Sequence, residues 1–182
     1  MNVVFHYAAG PDLAERLAAA ATDSLSVAVC SERDDERLAH LLPEMDVLWH
    51  VLRPATAAMI AAAPRLKLIQ KIGVGVNTID LAAARQRGIA VCNLPGSNAR
   101  AVAELTLALM LAALRRLPAF DAAMRQGNGF ALDPALQDGL GELGGRTVGL
   151  VGYGAVPCVL APVLAALDCR VIYTARTVRP EA

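Results

Sequence analysis

Gly152 and Gly154 are separated by one residue in Thr147-Val148-Gly149-Leu150-Val151-Gly152-Tyr153-Gly154-Ala155-Val156-Pro157, between a strand-forming run and an Ala/Leu-rich segment. A strand that turns through G-x-G into a helix can hold a pyrophosphate. The first glycine permits the tight turn, the second lets the backbone approach the phosphates, and the helix start supplies free amides and the positive end of its dipole. Gly152, Tyr153, Gly154, Ala155 and Val156 are therefore the candidate dinucleotide contacts. Pro157 stands where a third glycine would allow close helix-to-strand packing, a departure the first helical turn tolerates because the N–H there has no helical acceptor. A glycine-rich βα turn without a ligand is the alternative reading.

The next β-branched run, Arg170-Val171-Ile172-Tyr173-Thr174, should end in a carboxylate about 20 positions past the glycines if the ribose is that of NAD. Ala175 and Arg176 stand there instead. A missing acid followed by a guanidinium suits the 2′-phosphate of NADP, through charge-assisted and bidentate hydrogen bonds. NAD(P) is accordingly the expected cofactor, with NADP slightly favoured; an exposed loop arginine is the other reading of Arg176.

These residues need elements to position them. Short apolar runs alternate with Ala/Leu-rich segments along the chain, which predicts parallel strands joined by crossover helices and an α/β class. The expected strands are 3–7, 26–30, 47–50, 66–72, 89–92, 147–151 and 170–174. Pro11 and Asp12 open a first helix, with Leu13, Leu17 and Ala20 at helical spacing. Ser97 and Asn98 are placed to cap a long helix through Arg116, with Val102, Leu105, Leu109 and Ala112 on one apolar face and Leu107, Leu111 and Leu114 on another. Residues 125–145, rich in Gly and polar residues, read as loop. A boundary near Pro95 to Asn98 divides the chain into 1–97 and 98–182.

The 182 residues are 55% hydrophobic and 19% charged, which suits a buried core rather than a disordered chain. Seventeen basic and seventeen acidic residues cancel, and no Lys/Arg cluster stands out, so nucleic acid is not an expected partner. The most apolar stretch, 105–114, is shorter than the ~20 residues that cross a bilayer, so no membrane is expected. The residues after Met1 lack a basic region and a small-residue cleavage site, which points to the cytoplasm. Cys30, Cys92, Cys158 and Cys169 show neither C-x-x-C nor metal-ligand spacing and read as reduced, buried thiols.

Three segments together resemble the D-isomer-specific 2-hydroxyacid dehydrogenases, the family of phosphoglycerate dehydrogenase, glyoxylate reductase and formate dehydrogenase. They are Leu66-Lys67-Leu68-Ile69-Gln70-Lys71-Ile72-Gly73-Val74-Gly75-Val76-Asn77-Thr78-Ile79-Asp80; Val91-Cys92-Asn93-Leu94-Pro95-Gly96-Ser97-Asn98 running through Ala103-Glu104-Leu105; and the glycine turn with 143–147 before it. The resemblance implies a flavodoxin-like substrate (catalytic) domain over 1–97, then the beginning of a Rossmann NAD(P)-binding domain over 98–182. The implied reaction is hydride transfer between NAD(P)H and a small 2-keto or 2-hydroxy acid.

By the same resemblance, backbone amides at Val74 and Gly75 bind the substrate carboxylate, Val74 also borders the cofactor, and Arg53 faces the cleft. The alternatives are a simple turn at the glycines and a solvent-exposed Arg53. Asn98 matches a polar position near substrate and nicotinamide, and would need no ligand if it caps the helix. The two-faced helix from Asn98 to Arg116 implies a homodimer, as in the family's cofactor domains. Asp80 and Glu104 are assigned structural roles, and His6, His40 and His50 packing or surface roles. The family's catalytic arginine, glutamate and histidine would fall beyond Ala182, so the chain is expected to be C-terminally truncated relative to the family and inactive alone. A non-catalytic fragment that dimerises or weakly binds nucleotide is the second hypothesis.

Overall fold

In unit 1 of the computed structural model, Met1–Ser97, strands and helices alternate: β1 (Asn2–His6), α1 (Pro11–Ala19), β2 (Ser26–Cys30), α2 (Asp35–Leu41), β3 (Val47–His50), α3 (Ala57–Ala61), β4 (Leu68–Lys71), α4 (Leu81–Gln86) and β5 (Ala90–Cys92). The structure describes residues 1–129 and 134–179. All four strand pairings are parallel and the order is β2-β1-β3-β4-β5. That is the flavodoxin-like order of an open sheet, whose ligands lie outside the carboxyl ends of the strands.

The short helices start where capping chemistry allows. Asp34 accepts from the Arg37 N–H at 2.9 Å, Thr56 from Met59 at 3.2 Å and Asp80 from Ala83 at 2.9 Å. Each removes an orphan amide from a helix end, typically worth about 1 kcal/mol. Asp80 is thus a cap at the head of α4. The sheet is buried on both faces, so its central strands are almost continuously apolar: Val3, Val4, Leu48 and Ile69 are all buried, under Leu38, Ile60 and Ala84 from the helices. β4 is shorter than the sequence suggests, because Leu66 belongs to the turn after α3, its N–H donated to the Ala63 carbonyl at 3.1 Å.

Unit 2, Asn98–Ala182, holds α5 (Ala99–Leu114), α6 (Leu117–Arg125), α7 (Pro134–Gln137), β6 (Thr147–Val151), α8 (Ala155–Ala166) and β7 (Arg170–Thr174). β6 and β7 pair in parallel, and α8 is their crossover. Ala103 of α5, Leu160 and Leu164 of α8, Leu143 and Cys169 form its buried core. The outward row of α5 stays in solvent, with Leu105 58% and Leu109 61% exposed.

Four expectations need correction. The long helix stops at Leu114, because Arg116 takes a left-handed φ of 49° and α6 begins anew with Pro118 in its first turn. Asn98 sits at the cap position of α5, but its side chain makes no cap bond, and Ser97 Oγ donates instead to the Leu94 carbonyl at 3.0 Å. The region 125–145 contains one helical turn, Pro134–Gln137. Of the four free thiols only Cys30 and Cys169 are buried. Cys92 ends edge strand β5, and Cys158 lies on α8 away from Leu160 and Leu164. No helix among the described residues is long and apolar enough to cross a membrane.

Candidate functional site

β6 delivers the chain to Gly152, whose φ of 95° lies in the left-handed region that favours glycine. Its N–H donates to the Thr174 carbonyl at 2.8 Å, which pins the turn to the end of β7. Gly154 is different. Its φ of −108° and ψ of −156° suit any residue, and a Cβ added there would meet no atom within 4 Å. The chain's own packing does not call for glycine at 154, and a side chain there would fill the space a bound phosphate would take.

α8 begins at Ala155 with no side-chain cap, and its first turn closes through Cys158 N–H to the Gly154 carbonyl at 3.1 Å. The N–H groups of Ala155 and Val156 precede that bond and lack a helical acceptor, while Pro157 has none to offer. Two free amides and the positive end of the dipole therefore face outward beside Gly154. Pro157 leaves the helix start intact; Pro162, inside α8, removes the bond that would run to the Cys158 carbonyl.

The turn opens onto a cleft of about 830 Å³ at the carboxyl ends of β6 and β7. Gly152, Tyr153 and Gly154 border one side, with Ala175, Arg176, Thr177 and Arg179 on the other. Tyr153 is only 6% exposed, its ring packed on Tyr173 with centroids 4.7 Å apart, so it offers the cleft chiefly its main chain. No carboxylate lines the cleft among the described residues. Sequence reasoning missed Thr177 and Arg179; the available signal was a second arginine three residues after Arg176. The donors fit a dinucleotide: amides and a bare glycine for a pyrophosphate, guanidinium and hydroxyl groups where the ribose would lie.

The other candidates belong to unit 1. Gly73, at φ 150°, accepts from the Leu94 N–H at 2.9 Å, and Asn93 Nδ2 donates to the Val74 carbonyl at 2.8 Å. The loop after β4 is held by its carbonyls, while the Val74 and Gly75 N–H groups donate to no described atom. Successive free amides in a turn can form an anion-binding concavity. Arg53 is neither free nor fully exposed: its guanidinium donates to the Glu32 carbonyl at 2.6 Å and pairs with Asp35 at 2.5 Å. Asn98 is exposed, at the head of α5.

Residues 3–179 match the family model described as D-isomer specific 2-hydroxyacid dehydrogenase, catalytic domain. The chain belongs to that family. It is 38% identical over 163 residues to D-3-phosphoglycerate dehydrogenase of Mycobacterium bovis, covering 88% of this chain and 30% of that one. It is also 38% identical over 128 residues to glyoxylate reductase of Thermococcus litoralis, covering 68% and 38%. The chain thus spans well under half the length of these curated relatives. The TT0316 protein of Thermus thermophilus superposes with a TM-score of 0.83 at 34% identity, over 99% of this chain and 58% of that one. D-lactate dehydrogenase of Aquifex aeolicus, solved with NAD and lactic acid, shares the fold at 24% identity and a TM-score of 0.81.

The histidines of this dehydrogenase-family chain all belong to unit 1. His40 is exposed, whereas His6 of β1 and His50 of β3 are buried register neighbours, and Lys71 of β4 is the next neighbour of His50. His50 Nε2 bonds the Arg53 carbonyl at 2.7 Å; His50 Nδ1 and both His6 nitrogens have no partner among the described residues. Burial, then Arg53, holds the His6 pKa below its ordinary value. Burial does the same for His50, reinforced by Lys71 and His6 and opposed by the Arg53 carbonyl.

A depressed histidine pKa has a defined sign. Below about pH 6.5 the unfolded chain takes up protons that the folded chain resists, so stability is present above that pH and lost as pH falls. The urea midpoint should therefore drop between pH 7.5 and pH 5, a window above ordinary carboxylate titration. His6→Leu should flatten the drop. A midpoint independent of pH in this window, or an unchanged slope in the variant, would contradict the burial account.

Proposed function

We propose that residues 98–182 bind a nicotinamide dinucleotide for hydride transfer to or from a small 2-keto or 2-hydroxy acid, and that the pyrophosphate sits on the Gly152–Val156 turn. The observation that carries this reading is Gly154, a glycine that backbone and packing do not require, beside free amides at the head of α8. When bound, the cofactor supplies or accepts the hydride. The chain's own residues bind and orient: Ala155 and Val156 donate to phosphate, and the free amides of Val74 and Gly75 receive the substrate carboxylate. Arg53, although paired with Asp35, keeps about a third of its side chain exposed (36%) and is the first unit's cation for an acid substrate, and Asn98 stands at the nicotinamide side.

The same reading makes the protein cytoplasmic, in keeping with its four free thiols. It pairs with a second copy through α5. The described lining of the cleft carries no histidine or carboxylate for proton transfer, so residues 1–182 alone are expected to hold nucleotide without reducing 2-keto acids.

Cofactor choice follows from the end of β7. With Ala175 in the acid's position and Arg176 beside it, NADPH should bind at least about tenfold more tightly than NADH in fluorescence titrations, a difference of roughly 1.4 kcal/mol. Ala175→Asp should reverse the order by adding a ribose acceptor and repelling the phosphate, and Arg176→Ala should weaken NADPH alone. Equal affinities insensitive to both changes would refute this preference.

A further inference from the structure

Lys71 is the last residue of β4, and the loop that carries Val74 and Gly75 starts directly after it. The Ile72 N–H donates to the His50 carbonyl at 2.8 Å, so that loop leaves the sheet hooked to the end of β3. The lysine side chain does not run out to solvent. It is 7% exposed, its Cε lies 3.4 Å from where a Cβ on Gly73 would stand, and its Nζ donates to the Val51 carbonyl. One side chain therefore lies against the loop after β4 and ties it to the loop after β3, two residues before Arg53.

Its charge has no counterpart. An ammonium has three donors, and among the described residues Lys71 makes this one hydrogen bond and pairs with no carboxylate. Its register neighbour is His50 of β3, with His6 of β1 beyond, and neither is an acid. The carboxylates past the strand ends are already engaged, Asp35 by Arg53 and Glu32 by the Ala8 N–H at 2.8 Å. A cation held out of water without a partner is strongly disfavoured, and an anion brought close to it interacts strongly because little solvent screens the pair. The free Val74 and Gly75 amides, three and four residues further on, are where an anion would settle. Amides alone accept any carbonyl or carboxylate oxygen; an ammonium beneath them adds a preference for net negative charge.

We propose that Lys71 is a specificity-determining residue for substrate charge: its buried, unpaired ammonium beside Gly73 makes the Val74–Gly75 turn take a carboxylate in preference to a neutral carbonyl compound. This rests on the reading of those two amides as the carboxylate's site. Residues 1–182 are titrated with pyruvate and with pyruvamide, its uncharged amide, following the Val74 and Gly75 amide resonances by NMR. Wild type favours pyruvate, and Lys71→Gln, which keeps a donor for the Val51 carbonyl without the charge, lowers the pyruvate-to-pyruvamide affinity ratio about tenfold. Lys71→Met lowers the ratio equally while its urea midpoint stays level or rises, since an unpaired buried charge is removed; a merely structural lysine would lower the midpoint and leave the ratio alone. Lys71→Arg keeps the charge and restores part of the ratio. If the ratio in Lys71→Gln equals that of wild type, or Lys71→Arg does no better than Lys71→Gln, the ammonium does not read charge and the proposal is overturned, while a wild-type response of the two amides to pyruvate keeps the carboxylate reading. If pyruvate moves neither amide in wild type at high millimolar concentration, that reading falls and this inference with it.

Discussion

Substituting Leu109 by aspartate is expected to convert the proposed two-fold dimer into a monomer. Val102, Leu105 and Leu109 follow one another at helical spacing on α5, with Leu105 and Leu109 more than half exposed, while Ala99 and Ala103 are buried. Leu117 and Met124 of α6 are also more than half exposed. An apolar stripe of this kind calls for a partner, and a self-complementary two-fold contact between copies is the commonest way to cover it. Symmetry places each substitution in the interface twice, and every aspartate would lose water without gaining a cation. Several kcal/mol per unpaired buried charge amounts to a dissociation constant raised by at least about a thousandfold. Because Leu109 is exposed in the single chain, the thermal midpoint of the monomer should not move. Sedimentation velocity near 10 µM reads the outcome: dimeric wild type and monomeric variant support the pairing, and a monomeric wild type or a variant that keeps the dimer mass refutes it.

Much of the fold is written in local patterns. β2, β3, β6 and β7 occupy the spans that β-branched and apolar runs predict, although only β3 is buried along most of its length while β6 and β7 are largely exposed. What escaped is what local pattern does not encode. The break at Arg116 depends on one residue entering the left-handed region without glycine, so the apolar periodicity runs straight through it. Cys92 and Cys158 look like core residues by type, yet their exposure depends on an edge strand and a helix face that only the packed structure defines. Asn98 has the chemistry of a cap, but its side chain is not used as one.

The candidate site divides in the same way. The strand–turn–helix around Gly152 and Gly154 is a contiguous motif and appears in the structure with the backbone geometry its glycines allow. Arg179 and Tyr173 are joined by a bond between a main-chain amide and a side chain six residues back, which no spacing rule announces. Arg53 shows the converse: its residue type suggests a free cation, while Asp35 and the Glu32 carbonyl already hold it.

The central claim is that the glycine turn is shaped for a ligand rather than for the fold, and Gly154→Val tests it most directly. At Gly152 a side chain would be strained by the positive φ, so lost binding there could not be told from lost structure. At Gly154 the backbone is extended and an added Cβ meets open space. Because Gly154 is the N-cap of α8, where valine is disfavoured, stability should fall by about 1 kcal/mol, far less than unfolding the unit would need. The same side chain would occupy the place where the backbone must approach the pyrophosphate, so NADPH affinity should fall by about a hundredfold, near 2.7 kcal/mol. The decisive measurement is an NADPH titration of wild type and Gly154→Val beside their urea midpoints: a variant that stays folded with only the small capping loss and no longer binds is the predicted result, and a folded variant with equal affinity would contradict the assignment.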